Sequence, residues 1–171
     1  MNEIYADIFS KIYGLQTIGL RYFNVFGRKQ DPDGVYAAVI PKFVKQLLKG
    51  ESPVINGDGT YSRDFTYIDN VIHANLLSLT TTNPKSLNTV YNVACGDRNT
   101  LNDLVKFLKN YLSDYDNDIK NIEVIYGPKR PGDIPHSQAS IEKAKRLLNY
   151  KPQYSLQKGL KEAVKWYYKN L

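Results

Sequence analysis

Ile4, Ile8 and Ile12 recur four residues apart with Tyr5 and Phe9 beside them, and this spacing predicts a helix over residues 2–13. Gly14 is placed to end it, because glycine accepts the left-handed conformation that follows a last helical turn. The pattern then changes. In "TIGLRYFNVFG", residues 17–27, β-branched and aromatic residues dominate and predict a strand that closes at Gly27. "RKQDPDG" is loop by composition. A helical period returns in "AAVIPKFVKQLLKG" through Val39, Ile40, Phe43, Leu47 and Leu48. Pro41 is tolerated near its first turn, where a missing N–H costs least, and Gly50 closes it.

"SPVING" reads as a short strand, "DGT" as a turn and "DFTYI" as a second short strand, with Asp69 placed to cap the helix "NVIHANLLSLT". "TVYNVACG" is the next strand. "TLNDLVKFLKNYL" is the best-formed helix of the chain: Thr100 can cap it, Asp103 stands at the capping-box position, and Leu101, Leu104, Val105, Leu108 and Leu112 form one apolar stripe. Residues 113–120 read as an exposed polar loop, "IEVIYG" as a strand and "PKRPGDIPHS" as an irregular basic segment. Two helices, "SIEKAKRLL" and "SLQKGLKEAVKWYYKNL", finish the chain. Helices and strands alternate, which argues an α/β fold. The opening helix has no preceding strand to pack upon and reads as the tail of a larger α/β domain.

Composition narrows the class without naming a function. The 171 residues are 42% hydrophobic and 23% charged, as in an ordinary globular chain. No apolar run approaches the roughly 18 residues that span a bilayer, and the first residues do not read as a signal peptide, so none is expected. A single cysteine, Cys95, rules out an intramolecular disulfide and suits a reducing cytoplasm. Cys95, His73 and His136 lie far apart and give no metal spacing; His136 reads as an ordinary core or surface histidine. The net charge of +6 admits an anionic partner, but the lysines are dispersed among acids, which disfavours a nucleic-acid stripe.

One stretch asks for more. In "GDGTYSRDFTYIDN", residues 57–70, Arg63 stands between a glycine-rich turn and a strand. By itself it is surface charge. Together with "GLRYFNVFGRKQDP", "YAAVIPKF", "YNVACG" and "RPGDIPHS", however, the stretch resembles the extended short-chain dehydrogenase/reductases, and among them most the UDP-N-acetylglucosamine 4-epimerases. The similarity runs over essentially the whole chain in order.

The resemblance implies a Rossmann-type fold, NAD as cofactor and a UDP-sugar as ligand. It also implies a homodimeric complete protein, with no nucleic acid or membrane partner, acting in nucleotide-sugar supply for surface polysaccharide. This chain would be the C-terminal half, with residues 1–35 the tail of the Rossmann domain and 36–171 mostly the UDP-sugar subdomain, some segments returning to the sheet. No Gly-x-x-Gly-x-x-Gly occurs, and the family's catalytic Tyr-x-x-x-Lys is expected upstream of Met1; the same spacing at Tyr154 and Lys158 is read as chance. The chain alone is therefore expected to be inactive.

Residue by residue, the resemblance places Arg63 and Arg130 on the diphosphate, where planar charge-assisted donors fit several oxygens. Asn24 and Gln30 fall near the sugar, Ala38 and Val39 at a helix start beside the base, Asn56 at the base, Asp133 at the ribose and Ser137 in the sugar pocket. Tyr22 and Phe23 would lie near the nicotinamide, unless they are plain core. Asn24, Asn56 and Asp133 can equally be turn or strand-end residues that satisfy their own backbone. Three other readings stay open: a nucleotide-sugar dehydratase or decarboxylase of the same superfamily, a non-catalytic nucleotide-sugar-binding module, and a basic nucleic-acid-binding protein.

Overall fold

A computed structural model describes residues 2–34 and 38–171. In chain order the elements are α1 (Asn2–Tyr13), β1 (Ile18–Tyr22), β2 (Val25–Phe26), α2 (Val39–Leu48), β3 (Val54–Asn56), β4 (Ser62–Arg63), β5 (Thr66–Tyr67), α3 (Ile68–Thr80), β6 (Thr89–Val93), β7 (Asn99–Thr100), α4 (Leu101–Leu112), β8 (Ile125–Gly127), α5 (Glu142–Leu148) and α6 (Leu156–Asn170). Short 3-10 turns at Pro84–Ser86 and Asn117–Asn121 complete it; the second lies in the stretch expected to be exposed loop, yet buries Ile119.

The strands pair across the chain. β1 runs parallel to β6, β2 to β5 and β3 to β8, while β4 and β7 are antiparallel. The fold is α/β, as the alternation predicts.

Two differences from the sequence reading have physical causes. The strand expected over 17–27 is broken at Phe23–Asn24, because Asn24 adopts φ +38° and the two pieces pair with different partners. Asp69 does not cap α3. The helix begins at Ile68 behind Tyr67, and Asp69 sits in its first turn, where Arg28 Nη2 lies 3.1 Å from its Oδ1.

Two apolar clusters form the core. The larger gathers Ile40, Phe43, Val44 and Leu47 of α2 with Leu104, Val105, Leu108 and Leu112 of α4 and Leu160, Ala163, Val164 and Tyr167 of α6. Each fully buried leucine there contributes about 1.5–3 kcal/mol. The capping box of α4 is present, with Thr100 and Asp103 each bonded to the other's backbone. Gly159 of α6 is required by close approach: a Cβ there would lie 2.7 Å from Tyr67 Cβ and 3.0 Å from Phe26 Cζ. The second cluster joins Tyr91, Val93 and Ala94 to Val71 and Ala74 of α3 and to Ala144 and Leu148 of α5.

Buried polar side chains tie the segments together. Asn70, fully buried in α3, accepts from the N–H groups of Gln153 at 2.8 Å and Tyr154 at 3.1 Å and donates to the Tyr154 carbonyl at 2.8 Å. It thereby fixes the link between α5 and α6.

Candidate nucleotide-sugar site

The site is organised by Asp64, a fully buried acid between Arg63 and Phe65. Its carboxylate accepts from the backbone N–H of Cys95 at 2.9 Å and of Gly96 at 3.0 Å, with that of Ala139 at 3.4 Å. Burial pushes its pKa above the usual carboxylate value, and the three N–H donors oppose that rise. One side chain thus joins the loop after β4, the loop after β6 and the segment leading to α5. Nothing in the sequence reading singled it out; an acid directly before the short strand run Phe65–Ile68 was the available signal.

Arg63 leaves β4 next to this junction. Its Nη1 donates to the Ser62 carbonyl at 2.9 Å and to the Pro135 carbonyl at 3.3 Å. The segment 135–137 lies against β4 like a short parallel strand. Ser62 N donates to Pro135 O at 2.9 Å, Ser137 N to Ser62 O at 3.0 Å, and Ser62 Oγ sits 2.9 Å from His136 Nδ1. His136 is therefore exposed but engaged, with a part in holding the segment that the sequence did not show.

Arg130 enters from the other end of that segment. With the Asn56 amide oriented so that its oxygen faces the guanidinium, Arg130 Nε lies 2.9 Å from Asn56 and Nη2 3.3 Å. Asp133 is exposed, and its backbone N–H donates to the Arg130 carbonyl at 3.3 Å, which shapes the turn between them. The β3 turn below is held by Asp58, which accepts from the Thr60 hydroxyl at 2.6 Å and N–H at 3.0 Å, bonds that keep its carboxyl below the ordinary range.

Asn24 joins this group through Asp64: its Nδ2 donates to the Asp64 carbonyl at 3.0 Å, and its own carbonyl accepts from Thr66 N at 3.2 Å. Gln30 is attached elsewhere, with Nε2 3.3 Å from Val25 O and Oε1 buried without a partner among the described residues. Ala38 and Val39 form the start of α2, Ala38 as N-cap and Val39 packed on the larger core. Ala37, which also precedes that helix, lies outside the described residues. Tyr22 donates to Asn75 Oδ1 at 3.1 Å, and Phe23 packs on the second cluster. The Tyr154–Lys158 spacing produces a cation–π contact, Nζ 4.2 Å from the ring centroid, in the link before α6.

Hydrogen bonds link Arg63, Ser137 and Asn24 through Ser62, Pro135 and Asp64, and separately Arg130, Asn56 and Asp133; the two groups form one set only through the chain of segment 130–137. Gln30, Ala38, Val39, Tyr22 and Phe23 are not tied to it by hydrogen bonds. Neither Arg63 nor Arg130 lies within ion-pair distance of a carboxylate among the described residues, although Asp133 and Asp64 belong to the same neighbourhood. Cys95, beside it, is no nucleophile at neutral pH: burial pushes its thiol up to about 11. Among the described residues no three His, Cys, Asp or Glu side chains converge as a metal site, and no helix is long and apolar enough to cross a membrane.

Comparison with known proteins identifies the family. Residues 1–94 match the NAD dependent epimerase/dehydratase family. The chain belongs to that family.

Among its curated relatives is a putative UDP-glucose 4-epimerase of Methanocaldococcus jannaschii, 34% identical over 97% of this chain and 50% of the relative. The crystal structure of UDP-glucose 4-epimerase from Thermotoga maritima with UDP-glucose superposes with a TM-score of 0.87 at 40% identity, covering 98% of this chain and 50% of that one. The UDP-N-acetylglucosamine 4-epimerase of Methanobrevibacter ruminantium, in complex with UDP-N-acetylmuramic acid, gives 0.88 at 42% identity, covering 99% and 51%. The chain spans about half the length of these relatives. The Rossmann-type fold class is common to these neighbours and this family member.

NAD is the cofactor of this family. A dinucleotide cradle needs a strand that runs through a glycine-rich turn straight into a helix. Here β5 enters α3 and β7 enters α4 with no glycine between, while Gly27 after β2 leads into a loop and Gly96 after β6 into β7. Among the described residues the pyrophosphate cradle is not formed.

Proposed function

We propose that this chain is the UDP-sugar-holding portion of an NAD-dependent UDP-hexose 4-epimerase, and that its sugar is an N-acetylated hexosamine. The observation that carries the reading is that Arg63 contacts Pro135 of the segment on which Arg130 also stands, with no carboxylate within ion-pair distance of either among the described residues. Two planar guanidiniums there offer several charge-assisted donors to a diphosphate. Asn56 flanks Arg130 where a base would lie, Asp133 offers its carboxylate to ribose hydroxyls, and Asn24 and Gln30 serve the sugar. Ala38 and Val39 present a helix start of small and aliphatic groups to the flat face of the base. Ser137, half-buried beside Arg63, lines the sugar pocket and leaves room for an acetamido group.

In this reading Tyr22 and Phe23 flank the nicotinamide, and the rest of the dinucleotide and the catalytic pair are held by the half of the family's polypeptide that this chain does not match. Residues 1–35 belong with the Rossmann layer, to which the segments of the second core cluster return, and the remainder of 36–171 forms the UDP-sugar subdomain. The chain on its own binds UDP-sugars without epimerising them.

Calorimetric titration with UDP, UMP and uridine tests this. UDP is expected to bind at least tenfold more tightly than UMP, with the difference abolished in Arg63→Ala and Arg130→Ala. Equal affinity for UDP and UMP would remove the diphosphate assignment. Conversion of UDP-GlcNAc to UDP-GalNAc by the chain with NAD would overturn the placement of the catalytic groups elsewhere.

A further inference from the structure

Ser62 and His136, 74 residues apart in the sequence, form a side-chain pair that ligand contact does not explain, with Ser62 Oγ 2.9 Å from His136 Nδ1. Ser62 is only 2% exposed, so its hydroxyl has no bulk water to turn to and needs a partner within the protein. Among the described residues His136 is that partner.

A serine beside a histidine also begins a hydrolytic triad, and two observations exclude that use. The hydroxyl is buried away from any incoming carbonyl, and among the described residues no carboxylate bonds to the imidazole. Nor do three metal-ligating side chains converge there among the described residues. What the pair does is mechanical.

Each polar group of Ser62 engages one residue of a neighbouring tripeptide. Its N–H donates to the Pro135 carbonyl at 2.9 Å, its hydroxyl meets His136, and its carbonyl accepts from Ser137 N at 3.0 Å. On its other flank Ser62 pairs with Thr100 of β7, the residue that caps α4. β4 is thus backed by a helix on one side and closed by a clip of three bonds on the other.

The clipped segment has little else to fix it. Residues 128–136 are all exposed, and none joins either core cluster. A stretch with so few buried contacts depends on its hydrogen bonds for order. Arg63 depends on them too. Its Nη1 bridges the carbonyls of Ser62 at 2.9 Å and Pro135 at 3.3 Å, and these two oxygens face one guanidinium only while the clip is closed. Two of the three clip bonds join backbone groups. The third is the one made by His136.

We propose that His136 is a positioning residue of the nucleotide-sugar site, a role that rests on the diphosphate reading of Arg63 and Arg130. By closing the clip on Ser62 it aims Arg63 and holds Ser137 and Arg130 on a fixed segment beside it, without touching the ligand. With the clip open, Arg63 and the segment must be ordered by the ligand itself, and that ordering lowers affinity. Uridine carries no phosphate and is indifferent to where Arg63 is aimed.

The test uses the full chain and reads amide exchange at Ser62 and Ser137 beside calorimetric affinities for UDP and uridine. In His136→Ala both amides should exchange about tenfold faster or more. UDP should bind about fivefold more weakly, within the range for loss of one hydrogen bond, while uridine changes by less than about twofold. His136→Asn, whose amide can accept from or donate to the hydroxyl, should return both readouts toward those of the parent chain, which a loss of packing alone would not allow. Ser62→Ala breaks the same bond from its other end, so the double variant should be no weaker than either single one. It also supplies the measurement should His136→Ala fail to fold.

Unchanged exchange in His136→Ala, an equal loss on UDP and uridine, a His136→Asn as weak as the alanine variant, or losses that multiply in the double variant would each overturn the proposal. A parent chain that binds UDP no better than uridine overturns the diphosphate reading and the role of His136 together. A parent chain that prefers UDP, beside a His136→Ala that keeps the same preference, overturns the role of His136 alone.

Discussion

Arg63 reaches Pro135: its Nη1 donates to that carbonyl at 3.3 Å while also bonding the Ser62 carbonyl at 2.9 Å. The guanidinium is thereby oriented by backbone oxygens that do not neutralise it, and its charge stays available to an anion. Replacing Arg63 or Arg130 by alanine is expected to weaken UDP binding by about 1.5–3 kcal/mol, the range for hydrogen bonds to charged groups. Arg63→Lys should fall between, since it keeps the charge and loses the planar fork. Calorimetry checks this; unchanged affinity in both alanine variants rejects the assignment.

Ser137 makes a prediction about substrate choice. In a 4-epimerase the sugar must present both faces to the cofactor, so the pocket must accept the C2 substituent in two orientations. Overpacking a tight site costs about 1–3 kcal/mol. On the proposed function, Ser137→Tyr in the complete protein should reduce kcat/KM on UDP-GlcNAc by tenfold or more while largely sparing UDP-Glc. An equal loss on both sugars would mean that Ser137 does not gate the acetamido group.

Asp64 predicts a stability effect without any ligand. In Asp64→Asn the NH2 group would replace one carboxylate oxygen and face either the Cys95 N–H or the N–H groups of Gly96 and Ala139, while the remaining oxygen still accepts from the other side. Leaving buried donors unmet costs about 1–3 kcal/mol each, so a loss of about 3 kcal/mol is expected in urea denaturation. A change under 1 kcal/mol would show that the junction does not depend on the charge.

The alkaline limb of stability follows from Cys95 and Tyr167. Burial raises the Cys95 thiol from 9.0 to about 11 and the Tyr167 phenol from 10.0 to about 12. Each neutral group stabilises the fold fully below its unfolded value, and that contribution is lost as pH rises through the folded one. Stability should therefore be flat to about pH 9 and fall between 9 and 12. Cys95→Ala should flatten the first part of the fall. Chemical denaturation across that range measures it, and a fall beginning near pH 7 would point to other groups.

Legibility followed the distance over which each feature is decided. α4 was readable because its capping box and apolar stripe are local, and α1 because its period is regular. The break at Asn24 was not, since it depends on β1 and β2 finding partners at Thr89–Val93 and Thr66–Tyr67. Asp69 looked like a cap because a distant Arg28 cannot be seen from the residues around it. β4 and β7 are two residues each, too short for any period to show. At the site, Arg63 and Arg130 stood out only through resemblance, as single arginines carry no local signal. Asp64 and Asn70 were missed because their partners are mostly backbone groups, which have no letter in a sequence.

Residues Thr17 and Asn88, joined by a hydrogen bond at the foot of the β1–β6 pair, are 71 residues apart. Val54 likewise waits for Ile125. Such non-local parallel pairing places folding on the slow, millisecond-to-second side of small domains, whereas α4 can form in about a microsecond. During synthesis at about 5–20 residues per second, β1 leaves the ribosome roughly 4–14 seconds before β6 exists to receive it. Over that interval the nascent chain carries a bare apolar strand behind an apolar helix. Synthesis rate and chaperone supply, more than the final contacts, should therefore set the yield of folded chain.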